Sequence, residues 1–436
     1  MGYIAIVIGF VVVAGLCLLN FNAVISAFAA AFVVALLSGL SLTESLIGVF
    51  FDRFGLITGS LFPMFLFGSI LAKIYTTSGS AYTIAETVGR FLFKYAKTQK
   101  QKYALGFLSV ILASAIICYG GINAAVALIA IYPIAINIFK EAGIPRRFIM
   151  GAICGGAFTF ALSGPGSPQP TNVVAMVIGT SSGAGLVAGI IGSVIEIIVM
   201  VTVFTLMCVR AVDRGETFEP EVKGALETVA GEKPSFLRSL LPLFALFIMF
   251  NFLRLNIAIA ILLASIVAVI VFYGELRPER ILPSVNEGAL QAFLPTAAIA
   301  GINGFAAVVQ SVPEYQIIID GLLESTLPPV LMLIASVSLI CMITGGSTTG
   351  TQIALPVITP ALTSLGLTLP FIHRVGTFAA TMLDSIPSSG AVIMALNIAG
   401  LKMKDGYPPV FVSTILATTV GTAVVAVIMM LFPALP

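Results

Sequence analysis

The residues with the most chemistry in this chain sit where its apolar runs are interrupted. One interruption reads Ser163-Gly164-Pro165-Gly166-Ser167-Pro168-Gln169-Pro170-Thr171-Asn172, the other Asp384-Ser385-Ile386-Pro387-Ser388-Ser389-Gly390. Proline lacks a backbone N–H and glycine frees the dihedrals, so a continuous helix through either stretch is disfavoured. A helix broken inside a membrane leaves free N–H groups and a partial positive charge at the start of its second half. Such an end can hold a carboxylate without a buried lysine or arginine. Ser163, Ser167, Gln169, Thr171, Asn172, Ser385, Ser388 and Ser389 supply hydroxyls and amides suited to a polyol or hydroxy acid, while Gly164, Gly166 and Gly390 let backbone approach closely. The competing reading is a pair of turns outside the membrane.

Two further polar clusters interrupt apolar runs, Gly120-Gly121-Ile122-Asn123 and Gly345-Gly346-Ser347-Thr348-Thr349-Gly350-Thr351. They read equally as loop tips or as corners of the same site, and they add Asn123, Ser347 and Thr348 to the candidate substrate contacts. Ionisable groups within apolar spans are costly to bury and are functional candidates by default. Asp384, on the second interruption, is the first candidate for proton or cation coupling, and Glu196, inside a long apolar run, is the second. A structural carboxylate is the alternative for both. His373 and Arg374 are expected in an external loop, at the interfacial start of a helix. Lys73 and Arg254, near span ends, are expected to snorkel.

The elements that position these residues are membrane helices. The chain is 59% hydrophobic and 9% charged, whereas a soluble domain carries about 25% charged residues. Its net charge of +2 argues against a nucleic-acid partner. Cys17, Cys118, Cys154, Cys208 and Cys341 all lie in apolar runs and read as buried free thiols rather than metal ligands or disulfides. One histidine rules out an HExxH zinc site, no GxxxxGK[ST] loop is present, and the five aspartates form no protease-like pair, so no enzyme is expected. No cofactor is expected either; the coupling ion expected at such carboxylates is H⁺ or Na⁺.

Spanning about 30 Å of hydrocarbon takes about 20 residues. Segments of that kind predict 12–14 membrane crossings, two of them broken, over 148–180 and 375–400, with short hairpin returns at 76–92 and 313–326. The first run, 3–19, lacks a basic leader and reads as a retained helix. The polar stretch 210–238 divides the chain into a first repeat, 1–209, and a second, 239–436. Gly120-Gly121 and Pro145 recur as Gly345-Gly346 and Pro370 at the same offset. With both termini outside, 17 of the 21 basic residues fall on the cytoplasmic side, leaving Arg53, Lys73, Arg254 and Arg374. An odd number of spans per half makes the repeats inverted. The expected fold is therefore an all-α polytopic membrane protein with inverted repeats, broken helices and re-entrant hairpins. Substrate in such folds binds at mid-membrane between the breaks.

Several segments also resemble the gluconate:proton symporter family, within the wider ion-transporter superfamily. They are Gly120-Gly121-Ile122, Tyr132-Pro133-Ile134-Ala135, Ile144-Pro145-Arg146-Arg147, Gly151-Ala152, Gly156-Ala157-Phe158-Thr159, and Pro165-Gly166-Ser167-Pro168-Gln169 with Asn172. In the second half Ile386-Pro387-Ser388-Ser389-Gly390-Ala391-Val392-Ile393 is similar to the family's C-terminal signature. The resemblance implies proton-coupled uptake of gluconate or related small acids across a bacterial inner membrane. It further implies re-entrant hairpins, a homodimer and an elevator-like transport domain. Alternatives are a sodium-coupled carboxylate or D-amino-acid transporter, and an uncoupled anion channel or exchanger.

Overall fold

The computed structural model describes residues 2–18, 21–119, 122, 124–218, 233–315, 327–387 and 389–433, and among them the chain is helical with no strand. The first half opens with α1 (Gly2–Leu18) and α2 (Ala23–Leu37). A π-helical segment, Glu44–Phe50, runs into α3 (Phe51–Thr77). Gly79, at φ 76°, reverses the chain into α4 (Ser80–Phe93), so the return expected near 76–92 is itself helical. After α5 (Gln99–Tyr119) and α6 (Ala124–Ala142) comes a rod built from α7 (Ile149–Cys154), a π segment (Gly155–Phe160) and α8 (Ala161–Ser163). The rod stops at Gly164 and the chain resumes in α9 (Pro170–Ala175) and then α10 (Leu186–Asp213).

The second half runs through α11 (Phe236–Asn251), α12 (Ile257–Val271), α13 (Tyr273–Gln291) and α14 (Phe293–Gln310). It continues with α15 (Pro329–Thr344), α16 (Ser347–Ser364) and α17 (Leu369–Ala380), breaks, and resumes in α18 (Gly390–Ile398). The last elements are α19 (Met403–Phe411), a π segment (Val412–Leu416) and α20 (Ala417–Leu431). Both halves thus place a broken helix before their last long helical element. A second echo lies earlier: Asn22 caps α2 by accepting from Val24 N at 2.9 Å, and Asn256 caps α12 by accepting from Ala258 N at 2.9 Å. Each cap satisfies one of the free amides of a helix start.

Among the described residues, four helical elements are long and apolar enough to cross a membrane, Glu44–Thr77, Gln99–Tyr119, Leu186–Asp213 and Met403–Leu431, and shorter apolar helices accompany them. Helix α10 displays the logic of such a span. Gly192, Glu196, Met200 and Phe204 are buried along one face, whereas Ile190, Val194 and Ile198 are exposed on the other. Exposed aliphatic stripes of this kind fit lipid.

Sequence and structure differ in three places. The charged stretch between the spans at 255–273 and 290–312 is helical on either side of a kink at Arg277, whose φ of 51° and ψ of 142° break α13, and its second part lies along α3 with Gly288 against the Ile70 backbone and Lys73 Nζ 2.6 Å from Glu287. Lys73 is therefore paired rather than simply snorkelling. The second broken helix begins at Leu369, where Thr368 Oγ1 accepts from Phe371 N, rather than at 375. That shift carries His373 and Arg374 from a loop into a buried helix. Cys118, Cys154, Cys208 and Cys341 are free and buried. Most of the return expected at 313–326 lies outside the described residues.

Candidate substrate site

The first break is held open by its own polar side chains. Ser163 Oγ donates back to Thr159 O at 2.9 Å, and Ser167 Oγ donates to Ala161 O, so the last turn of the rod is capped by hydroxyls. Gly164 turns extended, at φ −64° and ψ 146°, beneath the Tyr119 ring. A Cβ on Gly164 would lie 1.8 Å from the Tyr119 hydroxyl. Gly166, at φ 72°, takes a conformation costly for any other residue, and its N–H donates to Ser182 O at 2.8 Å. Gln169 Nε2 donates to Cys118 O at 2.6 Å and Ile122 O at 2.9 Å, tying the break to the end of α5.

Asn172 is fully used. Its Nδ2 donates to Ser167 O at 2.8 Å and Ser182 O at 3.2 Å, while its Oδ1 faces His373 Nε2 at 3.0 Å and Arg374 at 3.4 Å. Arg374 has no exposed surface. Its Nε donates to Ala184 O at 2.7 Å, one terminal nitrogen to Ser163 O at 2.6 Å, and the other to Ser182 O at 3.0 Å. Thr377 Oγ1, at 3.5 Å, completes the shell. A guanidinium has five N–H donors, and here they meet carbonyl, amide and hydroxyl oxygens, none of them a carboxylate. Glycines on α10 make room for its stem: a Cβ on Gly185 would come within 2.8 Å of Arg374 Cβ, and one on Gly189 within 3.0 Å of its Cδ. A buried arginine does stand beside the break, contrary to the expectation that none is needed. Its charge is spent on backbone carbonyls, one of them Ser163 O at the C-terminal end of the rod, where a cation is favourable.

The two breaks meet at the start of α16. Thr171 Oγ1 lies 2.9 Å from Ser347 Oγ and 3.2 Å from Thr348 Oγ1. Asp384, on the second break, accepts from Ser385 Oγ at 2.7 Å and faces the amide and hydroxyl of Ser347. Gly346 offers α16 no side-chain cap, and Asp384 stands at this uncapped start from across the sequence. Ser389 Oγ reaches Gly345 O at 3.4 Å, and Tyr407 OH reaches Ser385 O at 3.3 Å. Around this meeting point, Gln169 Oε1 and Gln352 Oε1 are buried acceptors without a hydrogen-bond partner. Both Gln169 amide hydrogens are already committed to carbonyls, which fixes the orientation of that amide.

Glu196 stands apart, fully buried on the inner face of α10. Its carboxyl faces the Ser163 hydroxyl, yet neither oxygen makes a hydrogen bond of good geometry. Thus Ser163, Gly164, Gly166, Ser167, Gln169, Thr171 and Asn172 come together with Ser347, Thr348, Asp384, Ser385, Ser389 and Gly390 across the two halves. Of these, Ser163, Ser167 and Asn172 have their bonds turned inward and shape the break. Asn123 and Ser388 lie outside the described residues. Thr180 Oγ1 lies 2.5 Å from His373 Nδ1, and this latch of His373, Arg374, Thr180, Ser182 and Ala184 is absent from the sequence expectations; its one signal is that His373 and Arg374 are the ionisable residues of an otherwise apolar helix.

A helical bundle with two interrupted helices, apolar outer faces and polar side chains converging on the interruptions defines a polytopic membrane transporter. The chain belongs to the GntP permease family, whose model matches residues 1–272. It is 26% identical over 412 residues to a Bacillus subtilis (strain 168) protein named as an uncharacterized transporter, YxjC, covering 84% of this chain and 85% of that one. A Haemophilus influenzae protein, likewise named a transporter, is 25% identical over 337 residues, 74% and 73% of the two chains. Among solved structures, the Alcanivorax borkumensis YdaH transporter, described as having an unusual topology, superimposes with a TM-score of 0.54 at 15% identity over 89% of each chain. That likeness is one of fold.

Proposed function

We propose that this permease is a secondary active transporter that carries a small organic anion, of the gluconate or hydroxy-acid kind, together with a proton. The observation that carries the reading is the convergence of the two breaks on the start of α16. There Thr171, Ser347 and Thr348 present hydroxyls beside helix amides, and Gln169 Oε1 and Gln352 Oε1 are acceptors in want of donors. A hydroxy acid answers both needs: its carboxylate suits the amides and hydroxyls, and its own hydroxyls suit the orphaned amide oxygens. Asp384 borders this region, Glu196 faces Ser163 at the end of the rod, and these two buried carboxylates are the groups through which a proton can couple. We further read the two halves as inverted repeats that move the site in an elevator-like fashion within a homodimer of the bacterial inner membrane, with both termini outside.

The test is uptake by protein reconstituted into liposomes. A panel of small carboxylates, including gluconate and 3-hydroxybutyrate, is offered under an inward proton gradient, an inward sodium gradient, or neither. Accumulation of at least one hydroxy acid driven by the proton gradient is expected. Accumulation driven by sodium alone establishes the sodium-coupled alternative instead. Uptake indifferent to both gradients makes the protein a channel or exchanger and overturns the proposal.

A further inference from the structure

We infer that Glu196 is the residue that takes up the transported proton, and that it reports its protonation to the first break through the Ser163 hydroxyl. The inference rests on the proton-symport reading above and assigns the proton to one of its two candidate carboxylates. Asp384 accepts from Ser385 Oγ at 2.7 Å and faces the amide and hydroxyl of Ser347, all of them donors. Those donors favour its ionised form, against a burial that favours the neutral one. Glu196 has no such shell. Both of its oxygens are buried and unpartnered, and an ionised carboxylate in that condition is expensive.

The surroundings of Glu196 are closed and almost free of charge. A Cβ on Gly421 of α20 would lie 2.7 Å from both its Cγ and its Oε1, so the carboxyl rests on bare backbone. Neither α20 nor the π segments Gly155–Phe160 and Val412–Leu416, which pack against α10, carries an acidic, basic, tyrosine, histidine or cysteine side chain. On α5 the titratable neighbours are Cys118 and Tyr119, on α7 Cys154, and on α17 Arg374. The Tyr119 hydroxyl lies within electrostatic reach of both Arg374 and Glu196. The Arg374 guanidinium itself is turned toward the carbonyls of Ser163, Ser182 and Ala184.

Ser163 connects the two. Its carbonyl receives Arg374 at 2.6 Å, its hydroxyl donates to Thr159 O at 2.9 Å, and that same hydroxyl faces Glu196. A protonated carboxyl has one O–H to give, and Ser163 Oγ has lone pairs free to take it while keeping its bond to Thr159. An ionised carboxylate can only accept, so the Ser163 hydrogen must turn from Thr159 O to Glu196. The helix then loses its serine-to-carbonyl bond one turn before the break. Thr159 in turn holds Ser413 O at 2.7 Å, linking this turn to the π segment before α20. The proton balance is simple: H⁺ from water on one side adds to a Glu196 oxygen, and the same O–H later releases it to water on the other side.

The experiment is pH-difference infrared spectroscopy of reconstituted protein without substrate. Wild type is expected to show a carbonyl stretch from a buried protonated carboxyl that disappears as pH rises. Glu196→Gln should lack the band and Asp384→Asn should retain it. In proteoliposomes, Glu196→Gln should lose at least tenfold of proton-driven accumulation while keeping carboxylate exchange at equal pH. Should Glu196→Gln fail to fold, Gly421→Ala, which presses on the intact carboxyl, should displace the pH midpoint of the band. A band that survives Glu196→Gln, a midpoint indifferent to Gly421→Ala, or proton-driven accumulation at wild-type level in Glu196→Gln overturns the inference. If wild type transports none of the panel, the transport reading falls, whereas the infrared result still decides where the buried proton resides.

Discussion

Arg374 on α17 donates to the carbonyl of Ser163 at 2.6 Å, joining two residues 211 positions apart in the sequence. The bond ties the second half's broken helix to the last turn of the first half's. Because Arg374 also holds Ser182 O and Ala184 O, it fixes the chain on both sides of α9. Removing the guanidinium leaves these buried carbonyls without their donor, at about 1–3 kcal/mol for each unmet group. Arg374→Ala is therefore expected to lower the apparent Tm of purified protein sharply. Arg374→Lys should recover little, since an ammonium offers three donors from one point and cannot span three separated carbonyls. A Tm within a degree or two of wild type for Arg374→Lys would reduce the latch to a minor contact.

Glycines at the site fall into two kinds that substitution should separate. A Cβ on Gly189 would sit 3.0 Å from both Arg374 Cδ and Pro165 Cδ, on a backbone with no slack. Gly189→Ala is expected to destabilise by about 1–3 kcal/mol, the usual cost of overpacking. At Gly390, the first residue of α18, no atom lies within 4 Å of an added Cβ. Gly390→Ala should leave thermal stability unchanged. If the open space there admits substrate, the same variant should raise the transport KM, and unaltered kinetics would remove Gly390 from the site.

The hydroxyl cluster at the start of α16 gives a more direct test of recognition. Thr171 Oγ1 is shared between Ser347 Oγ and Thr348 Oγ1, so Thr171→Val keeps the shape and deletes the donor. Leaving buried polar partners unpaired costs about 1–3 kcal/mol. A roughly tenfold or larger loss of apparent carboxylate affinity is expected, with Thr171→Ser near wild type. Equal affinity for Thr171→Val and wild type would place recognition elsewhere.

Much of this arrangement is written locally and some of it is not. The breaks at 164–169 and 381–389 are legible because glycine, proline and serine oppose a helix through their own backbone chemistry. Glu196 is legible as one carboxylate among aliphatic residues. Arg374 is not: the string Leu369-Pro370-Phe371-Ile372-His373-Arg374 resembles an interfacial helix start, and its partners Ser163, Ser182 and Ala184 are brought to it only by the tertiary fold. Helix α13 was hidden for the opposite reason. Two prolines and several charges disguise a helix whose stability comes from lying along α3, with Lys73 paired to Glu287 and Ser284 bonded to Thr77.

Asp384 and Glu196 should respond differently to the loss of their charge. Asp384 gathers the Ser385 hydroxyl and the Ser347 amide and hydroxyl. Replacing one of its oxygens with an NH₂ group sets donor against donor at the uncapped end of α16. Asp384→Asn should therefore disturb the very surface that receives substrate, lowering proton-driven accumulation and equal-pH exchange together, by tenfold or more. Glu196 faces one hydroxyl, that of Ser163, which can donate or accept. Glu196→Gln should spare exchange and remove only the response to the proton gradient. Measuring both transport modes on both variants separates binding from coupling. Should Asp384→Asn keep full exchange while losing the gradient response, Asp384 would be a coupling residue and its place at the start of α16 would be secondary.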